Sequence, residues 1–341
     1  MAPCEARLSH DAVADMKAII PAAGIGTRLR PHTYTQPKAL LHVAGKSILA
    51  HIIDELVAVG VDEIVVVVGY LGERIEAQVR EQYRSLPVKF VQQTEPLGNG
   101  HAVYVARDHL DGEPALVVFG DTIVKGDLAS LVRSRQSMAG VTEVEDPRRL
   151  GVVELDADGY VRRIIEKPSD PPSKLAVIGA YLIRDTRAFR RALERMVTED
   201  RRMKGEYWLA DAIQMMIDGG ERMKTFRVDH WYDCGTVEAL LQANRDLLKL
   251  APPAVAAGIT STVISPSYIS PSAVLEGSVV GPYASIGDGV GVIGSHVKDS
   301  IINAHAVIER ARLDQSIIGE RAVVRGATGK LNLGDSSVVE V

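Results

Sequence analysis

The first third of the chain alternates between two patterns of hydrophobic and polar residues. Residues 64–68 form a continuous β-branched run, which is typical of a strand buried on both faces of a parallel sheet. Residues 47–60 carry apolar side chains at helical spacing and end at Gly60, which predicts a capped helix. The alternation continues with a predicted helix over 73–83, a strand over 88–92, a helix around 99–109 and a strand over 115–120. The pattern therefore predicts an α/β fold with a doubly wound, Rossmann-like sheet that binds ligands at the carboxyl ends of its strands.

Shorter strands are predicted from Gly151 onward, with turn-forming residues between them. Hairpins of this kind, added beside a parallel sheet, usually form the far wall of a cleft. The predicted strands cover 151–155, 161–166 and 176–184, and the predicted helices cover 186–197, 207–218 and 237–250.

The last part of the chain has a different repeat, in which an aliphatic residue recurs about every six positions among small residues. A hexad repeat places one aliphatic side chain on each flat face of a prism, which predicts a hexapeptide β-helix. The repeat is carried by Ile269, Leu275, Val280 and Ile286 and returns less regularly at Ile293, Ile302, Ile308 and Ile318.

These patterns predict two domains, as does the length of 341 residues. Residues 1–15 are expected to be a disordered N-terminal extension, and 16–250 the α/β domain. The Pro-rich, small-residue stretch 251–258 is expected to be a linker, and 259–341 the β-helix.

Composition narrows the class of protein. Hydrophobic residues make up 46% and charged residues 24%, as in ordinary globular proteins, and the net charge of −5 leaves no basic footprint for nucleic acid. Two cysteines are too few for a disulfide framework or a zinc cluster. No apolar run is long enough to span a membrane, and the first fifteen residues lack the hydrophobic core of a signal peptide. A cytoplasmic enzyme is therefore expected.

The candidate chemistry begins in residues 20–31, where Gly24 and Gly26 follow an apolar strand. Because glycine has no Cβ, the backbone at these positions can turn sharply and direct its N–H groups at phosphate oxygens. Arg28 and Lys38 add two cations nearby, which suits a triphosphate. A Rossmann fingerprint would need a third glycine at Leu29, and a Walker A loop would need one at Leu40, so both better-known loops fail on spacing.

The longer motif over residues 23–46 is more specific than the two glycines and two cations alone. Residues 23–31, followed by Pro37-Lys38-Ala39-Leu40 and Val43-Ala44-Gly45-Lys46, resemble the N-terminal signature of the sugar-1-phosphate nucleotidyltransferases. That group includes glucose-1-phosphate thymidylyl- and uridylyltransferases. The hexad repeat resembles the left-handed parallel β-helix of its long-form members. The resemblance implies conversion of a nucleoside triphosphate and a sugar 1-phosphate to an NDP-sugar and pyrophosphate.

The resemblance also implies roles for individual residues. Asp121 and Asp233 stand in motifs whose aspartates bind the catalytic metal, which would be Mg²⁺. Arg28, Lys38 and Lys167 would be the catalytic cations. The implied nucleotide-binding residues are Ala23, Gly24, Gly26, Thr27, Arg28, Gln93 and Gly98, and the implied sugar-phosphate residues are Gly151, Glu166, Lys167 and Lys204.

The nucleotide and the sugar stay open at this point. An amide at Gln93 offers a donor and an acceptor, which suits uracil or thymine. Glucose 1-phosphate with dTTP or UTP is the favoured pair. The alternatives are a mannose-1-phosphate guanylyltransferase and a non-catalytic regulatory subunit. Ser47, Leu150 and Thr122 depart from the common pattern, and the last two lie near the expected sugar site.

The predicted β-helix is expected to build a homo-oligomer, because its aliphatic faces need cover. An acyltransferase is the alternative, since this fold often binds acyl-CoA. His296 and His305 are the only histidines within the repeat that could serve as its base, and both are interpreted as surface or corner residues.

Overall fold

The computed structural model describes residues 16–228, 230–250 and 261–341. The predicted extension 1–15 and linker 251–258 lie outside these ranges. The elements up to residue 250 are β1 Lys17–Pro21, β2 His42–Val43, β3 Lys46–Ser47, α1 Ile48–Ala58, β4 Glu63–Val68, α2 Gly72–Gln82, β5 Val88–Gln92, α3 Asn99–Val105, β6 Ala115–Val118, β7 Thr122–Lys125, α4 Leu128–Arg133, β8 Met138–Glu143, β9 Gly151–Leu155, β10 Val161–Glu166, β11 Leu175–Ile183, α5 Thr186–Thr198, α6 Leu209–Asp218, β12 Lys224–Arg227, β13 His230–Asp233 and α7 Val237–Leu250.

A nine-stranded sheet organises this part of the protein, with the path β10-β9-β11-β6-β1-β4-β5, with β8 beside β11 and with β12 beside β8. Strands β6, β1, β4 and β5 are parallel, whereas β11 runs antiparallel to β6. Alternate residues of β4 point into opposite cores: Ile64 and Val66 pack on one face, and Val65 and Val67 on the other. The predicted buried parallel sheet is thus confirmed for β6, β1, β4 and β5. Beyond β6 the sheet contains both parallel and antiparallel pairs.

Several elements were not predicted or begin elsewhere. Strands β7, β8, β12 and β13 and helix α4 were missed. The helix expected over 99–109 ends at Val105, and a 3-10 turn covers Arg107–His109. The helix expected from Tyr207 begins at Leu209, because Tyr207 N–H bonds the Leu97 carbonyl at 2.8 Å and keeps the chain extended.

The C-terminal part is a parallel β-helix of three five-stranded sheets. Its strands are β14 Thr262–Val263, β15 Tyr268–Ile269, β16 Val274–Glu276, β17 Val279–Val280, β18 Ser285–Ile286, β19 Gly291–Ile293, β20 His296–Lys298, β21 Ile301–Ile302, β22 Val307–Glu309, β23 Arg312–Asp314, β24 Ile317–Ile318, β25 Val323–Arg325, β26 Thr328–Gly329, β27 Asn332–Leu333 and β28 Val338–Glu340.

The spacing of the coils departs from strict hexads. Val263 pairs with Val280, Val297 with Leu313 and Ile318 with Leu333, so a coil advances by 17, 16 and 15 residues respectively. The assignment of Ile293 to the interior was wrong. Val292, which lies one hexad after the core residue Ile286, fills the core there, whereas Ile293 lies one position beyond that register and is 39% exposed.

One face of the β-helix is covered by the α/β domain. The outward residues of β15, β18, β21, β24 and β27 all contact it. Ile301 and Ile317 join its hydrophobic core, and the Tyr268 ring lies against Gly45. The buried side chain of Asn244 donates to the Tyr283 carbonyl at 3.0 Å and accepts from Ser285 Oγ at 2.6 Å.

The last coils of the β-helix also contact the loop after the predicted glycine segment. His32 Nε2 lies 2.6 Å from Asn332 Oδ1, and Thr35 Oγ1 donates to Asp335 at 2.6 Å. This loop connects Arg28 to Lys38, so the β-helix supports the candidate phosphate-binding segment. Among the helices of the described ranges, none has the length and apolarity that crossing a membrane requires.

Candidate active site

The glycine segment leaves the carboxyl end of β1 and forms one wall of a cleft. Gly26 adopts a left-handed conformation with φ of 68°, and its carbonyl accepts from Thr33 Oγ1 at 2.8 Å. A Cβ at this position would lie 3.0 Å from Lys38 Cβ, so glycine lets the lysine stem pack against the turn. The predicted residues that line this cleft are Ala23, Gly24, Gly26, Thr27, Lys38, Gln93, Gly98 and Asp121.

Two missed strands explain how Asp121 and Asp233 come together. Asp121 follows β6, where Gly120 N–H bonds the Pro21 carbonyl at 3.0 Å. The chain then turns into β7, whose first residue, Thr122, pairs with Asp233 at the end of β13. Cys234 N–H bonds the Asp121 carbonyl at 3.1 Å and closes the arrangement. Residues more than 100 positions apart therefore share one corner of the cleft.

This corner brings two carboxylates and two cations close together. Lys38 Nζ lies 2.5 Å from Asp121 Oδ2. Burial, with Asp121 as the second cause, raises the pKa of Asp233, and Lys38 and Arg28 oppose that shift. A Cβ on Gly235 would lie 2.8 Å from Asp233 Oδ1 and 3.0 Å from Arg28 Nη2, so glycine lets both approach the main chain.

The two carboxylates fit Mg²⁺, which proteins commonly bind through one or two carboxylates while substrate phosphates and waters complete the shell. Within the described ranges no group of three or more His, Cys, Asp or Glu side chains is arranged to hold a metal, so a site built from protein ligands alone is not present there.

The opposite end of the cleft holds Gln93, which is 7% exposed. Its Nε2 lies 3.1 Å from the Gly98 carbonyl oxygen and 3.1 Å from His101 Nδ1. Both hydrogens of the amide nitrogen are therefore engaged. The Gln93 side chain was expected to offer a base both a donor and an acceptor. With Nε2 engaged, it offers only the acceptor Oε1.

The predicted sugar-phosphate residues lie in a second cleft, which Glu166, Lys167 and Lys204 line. Gly151 faces Glu166 across β9 and β10, and a Cβ there would be 3.0 Å from Glu166 Oε2. Lys167 Nζ lies 3.4 Å from Glu166 Oε1 and 3.9 Å from the centre of the Trp208 ring. Burial raises the pKa of the Glu166 carboxyl, and Lys167 opposes this.

The two clefts adjoin at the segment 203–208. Glu206 lines the first cleft and Trp208 the second, and Glu206 also contributes to the raised pKa of Glu166. His101 and the Trp208 ring were not predicted. Trp208 follows the predicted Lys204 segment closely, but no sequence signal could place its ring beneath Lys167.

The departures from the family pattern have local structural roles. Ser47 caps α1, with Oγ accepting from Ala50 N–H at 3.2 Å. The Leu150 carbonyl accepts from Lys167 N–H at 3.1 Å, which holds the lysine backbone beside Gly151. Thr122 Oγ1 lies 3.4 Å from Asp121 Oδ1.

Comparison with known proteins decides the family. The model of the family described as nucleotidyl transferase matches residues 17–250. The chain belongs to the nucleotidyl transferase family. This transferase is 31% identical to a glucose-1-phosphate thymidylyltransferase of Streptomyces antibioticus over 96% of its own chain and 99% of that enzyme. It is 30% identical to a mannose-1-phosphate guanylyltransferase of Mycobacterium tuberculosis, over 86% of its own chain and 83% of the relative.

A solved structure supports the fold of the nucleotidyltransferase. A UDP-glucose pyrophosphorylase complexed with UDP-glucose superposes with a TM-score of 0.60 at 24% identity, covering 70% of this chain and 100% of that one. The family model and the relatives confirm the resemblance inferred from residues 23–46, and the protein is a sugar-1-phosphate nucleotidyltransferase.

Proposed function

We propose that this nucleotidyltransferase joins glucose 1-phosphate to dTTP or UTP and releases pyrophosphate. The observation that carries the choice of nucleotide is the Gln93 amide in the lining of the glycine cleft, with its oxygen available to accept. Uracil and thymine present N3–H to such an oxygen, and the Gly98 backbone N–H supplies a donor for O4. The thymidylyltransferase relative, similar over nearly the whole chain, supports the same choice.

The reaction requires positioned phosphates and offset charge more than covalent chemistry. An oxygen of the sugar phosphate attacks the α-phosphorus in line, and pyrophosphate leaves. Lys38 and Arg28 stabilise the α-phosphate and the leaving pyrophosphate, while Lys167 and Lys204 hold the phosphate of the nucleophile. Glu166 accepts hydrogen bonds from sugar hydroxyls, beside Gly151.

Asp121 and Asp233 would hold the Mg²⁺ ion of this site. When bound, the ion neutralises part of the triphosphate charge. Lys38 contacts Asp121 directly, so the lysine occupies the same corner as the two carboxylates.

Pyrophosphate release tests the proposal, with UTP, dTTP, GTP, CTP and ATP each paired with glucose 1-phosphate and mannose 1-phosphate. The highest kcat/KM is expected for glucose 1-phosphate with dTTP or UTP. The guanylyltransferase relative makes GTP with mannose 1-phosphate the second candidate, since guanine N1–H can also donate to Gln93 Oε1. Highest kcat/KM with that pair would replace the first candidate.

The proposal includes a homo-oligomer formed through the β-helix. One face of the β-helix is covered by the α/β domain, and a second face presents mainly polar residues such as His296 and Arg312. The third presents an outward row in which Val274 is 52% and Val338 is 64% exposed. A flat aliphatic row of this kind suits the same row of a second copy. The row consists of Val274, Gly291, Val307, Val323 and Val338.

Light scattering of the full chain tests this interface. Val274→Lys with Val338→Lys is expected to lower the mass to that of a smaller species, because two buried charges would face each other across the contact. His296→Lys with Thr328→Lys is the matched control on the polar face and should leave the mass unchanged. A valine-row variant that keeps the wild-type mass would contradict the proposed interface.

A further inference from the structure

His101 lies on α3, outside the residues assigned to the site, and contacts the base-reading amide. Gln93 Nε2 is 3.1 Å from both the Gly98 carbonyl oxygen and His101 Nδ1. Because a carbonyl oxygen can only accept, the amide atom facing Gly98 must be the nitrogen. The reverse orientation would bring two oxygens together. The amide is therefore held in one of its two possible orientations.

The second hydrogen of that nitrogen points at His101 Nδ1, which must be free of a proton in order to accept it. The neutral ring then carries its proton on Nε2. Burial lowers the pKa of His101, which favours the neutral ring. Tyr104 and Tyr207 stack against it, with ring centroids at 5.9 and 6.1 Å.

We propose that His101 is a positioning residue for nucleotide selection, which holds the Gln93 nitrogen away from the base so that only Oε1 faces the cleft. The site then accepts a base with an N–H at that position and rejects one with a lone pair there. Uracil, thymine and guanine carry the N–H, whereas cytosine N3 and adenine N1 carry lone pairs. This inference rests on the proposed function to the extent that Gln93 faces the base.

Kinetics with matched variants test the role. His101→Leu removes one of the two acceptors that hold Nε2, so the reversed amide, which offers Nε2 to cytosine, becomes less unfavourable although the Gly98 carbonyl still opposes it. The ratio of kcat/KM for UTP over CTP is expected to fall about 3- to 10-fold, mainly through KM for the nucleotides, as the loss of one hydrogen bond implies. His101→Asn keeps an acceptor oxygen near the position of Nδ1 and should restore most of the ratio. His109→Leu, the same substitution in the turn after α3, should leave it unchanged.

The outcomes separate this inference from the proposed function. A His101→Leu enzyme that keeps both the wild-type ratio and the wild-type circular dichroism would overturn the role of His101 alone. If the wild type used neither UTP nor dTTP, the proposed nucleotide would be wrong. The histidine would then be tested by NMR of ring nitrogens near pH 7. An Nε2–H tautomer would support the positioning role, whereas a proton on Nδ1 would refute it.

Discussion

At the scale of single residues, the active corner is a compact set of opposite charges that sequence motifs identify separately. Lys38 Nζ and Asp121 Oδ2 are 2.5 Å apart, and Arg28 and Lys38 both counter the pKa rise of Asp233. Each group stabilises its neighbours, and under the proposed function the same charges would meet the phosphates of the substrate. Substitutions here are therefore expected to affect turnover more than folding.

Asp121→Asn and Asp233→Asn should each lower kcat by about 100-fold or more, because each removes a preorganised charge from the metal and phosphate corner. Steady-state pyrophosphate release and circular dichroism measure the two effects. Asp314→Asn, which changes a half-buried carboxylate on the β-helix that pairs with Lys298, is the control. Near wild-type turnover in either site variant, with an unchanged spectrum, would remove the metal assignment.

Lys167→Gln should raise KM for the sugar phosphate about tenfold or more and leave KM for the nucleotide nearly unchanged. The reason is that Lys167 lies in the second cleft, over the Trp208 ring at 3.9 Å, whereas the glycine segment lines the first. Lys174→Gln, at an exposed position, controls for loss of charge. An equal rise in both KM values would contradict the division between the clefts.

At the scale of elements, helix α1 shows how a departure from the family pattern is accommodated. Ser47 replaces the proline usual at this position, and its Oγ both caps Ala50 N–H and accepts from Gln78 Nε2 at 3.1 Å. The helix places Ile48, Leu49 and Ile53 in the core beneath β1. The cap thus fixes the start of an element that supports the glycine segment.

Ser47→Ala should lower the free energy of unfolding by about 1 kcal/mol, the usual contribution of an N-cap hydroxyl. Urea denaturation followed by circular dichroism measures the change. Gln78→Ala removes only the second contact and should cost less. Equal losses in the two variants would show that the cap itself contributes little.

At the scale of the whole molecule, the β-helix packs against the α/β domain and contributes side chains to its core. Ile301 and Ile317 fill its core, and the Arg245 guanidinium makes two contacts of 2.5 Å with the Asp299 carboxylate. His32, which is 1% exposed, joins the loop between Arg28 and Lys38 to Asn332. Removal of residues after 250 would expose this apolar surface, so point substitutions test the β-helix more cleanly than truncation.

Burial of His32 should make the stability of the protein sensitive to acid. Burial lowers the pKa of His32 from 6.5, with Asn332 and Asp335 opposing the shift. The unfolded chain therefore binds a proton more readily, and stability is lost as the pH falls below about 6.5 toward the folded pKa. His32→Gln should flatten the thermal midpoint against pH in this window, whereas exposed His296→Gln should not. An unchanged slope in His32→Gln would contradict the assignment.

The sequence by itself determined the alternation of β1 to β6, the glycine segment with Arg28 and Lys38, the family and the presence of a β-helix. These features depend on local periodicity, or on residue types whose spacing along the chain is fixed by the chemistry. Only the tertiary structure decided that β7 and β13 join Asp121 to Asp233, and that Trp208 lies beneath Lys167. It also decided which face of the β-helix is covered and that Gln93 Nε2 lies against Nδ1 of His101. These depend on contacts between residues distant in sequence and on single hydrogen bonds, which leave no periodic signal in the chain.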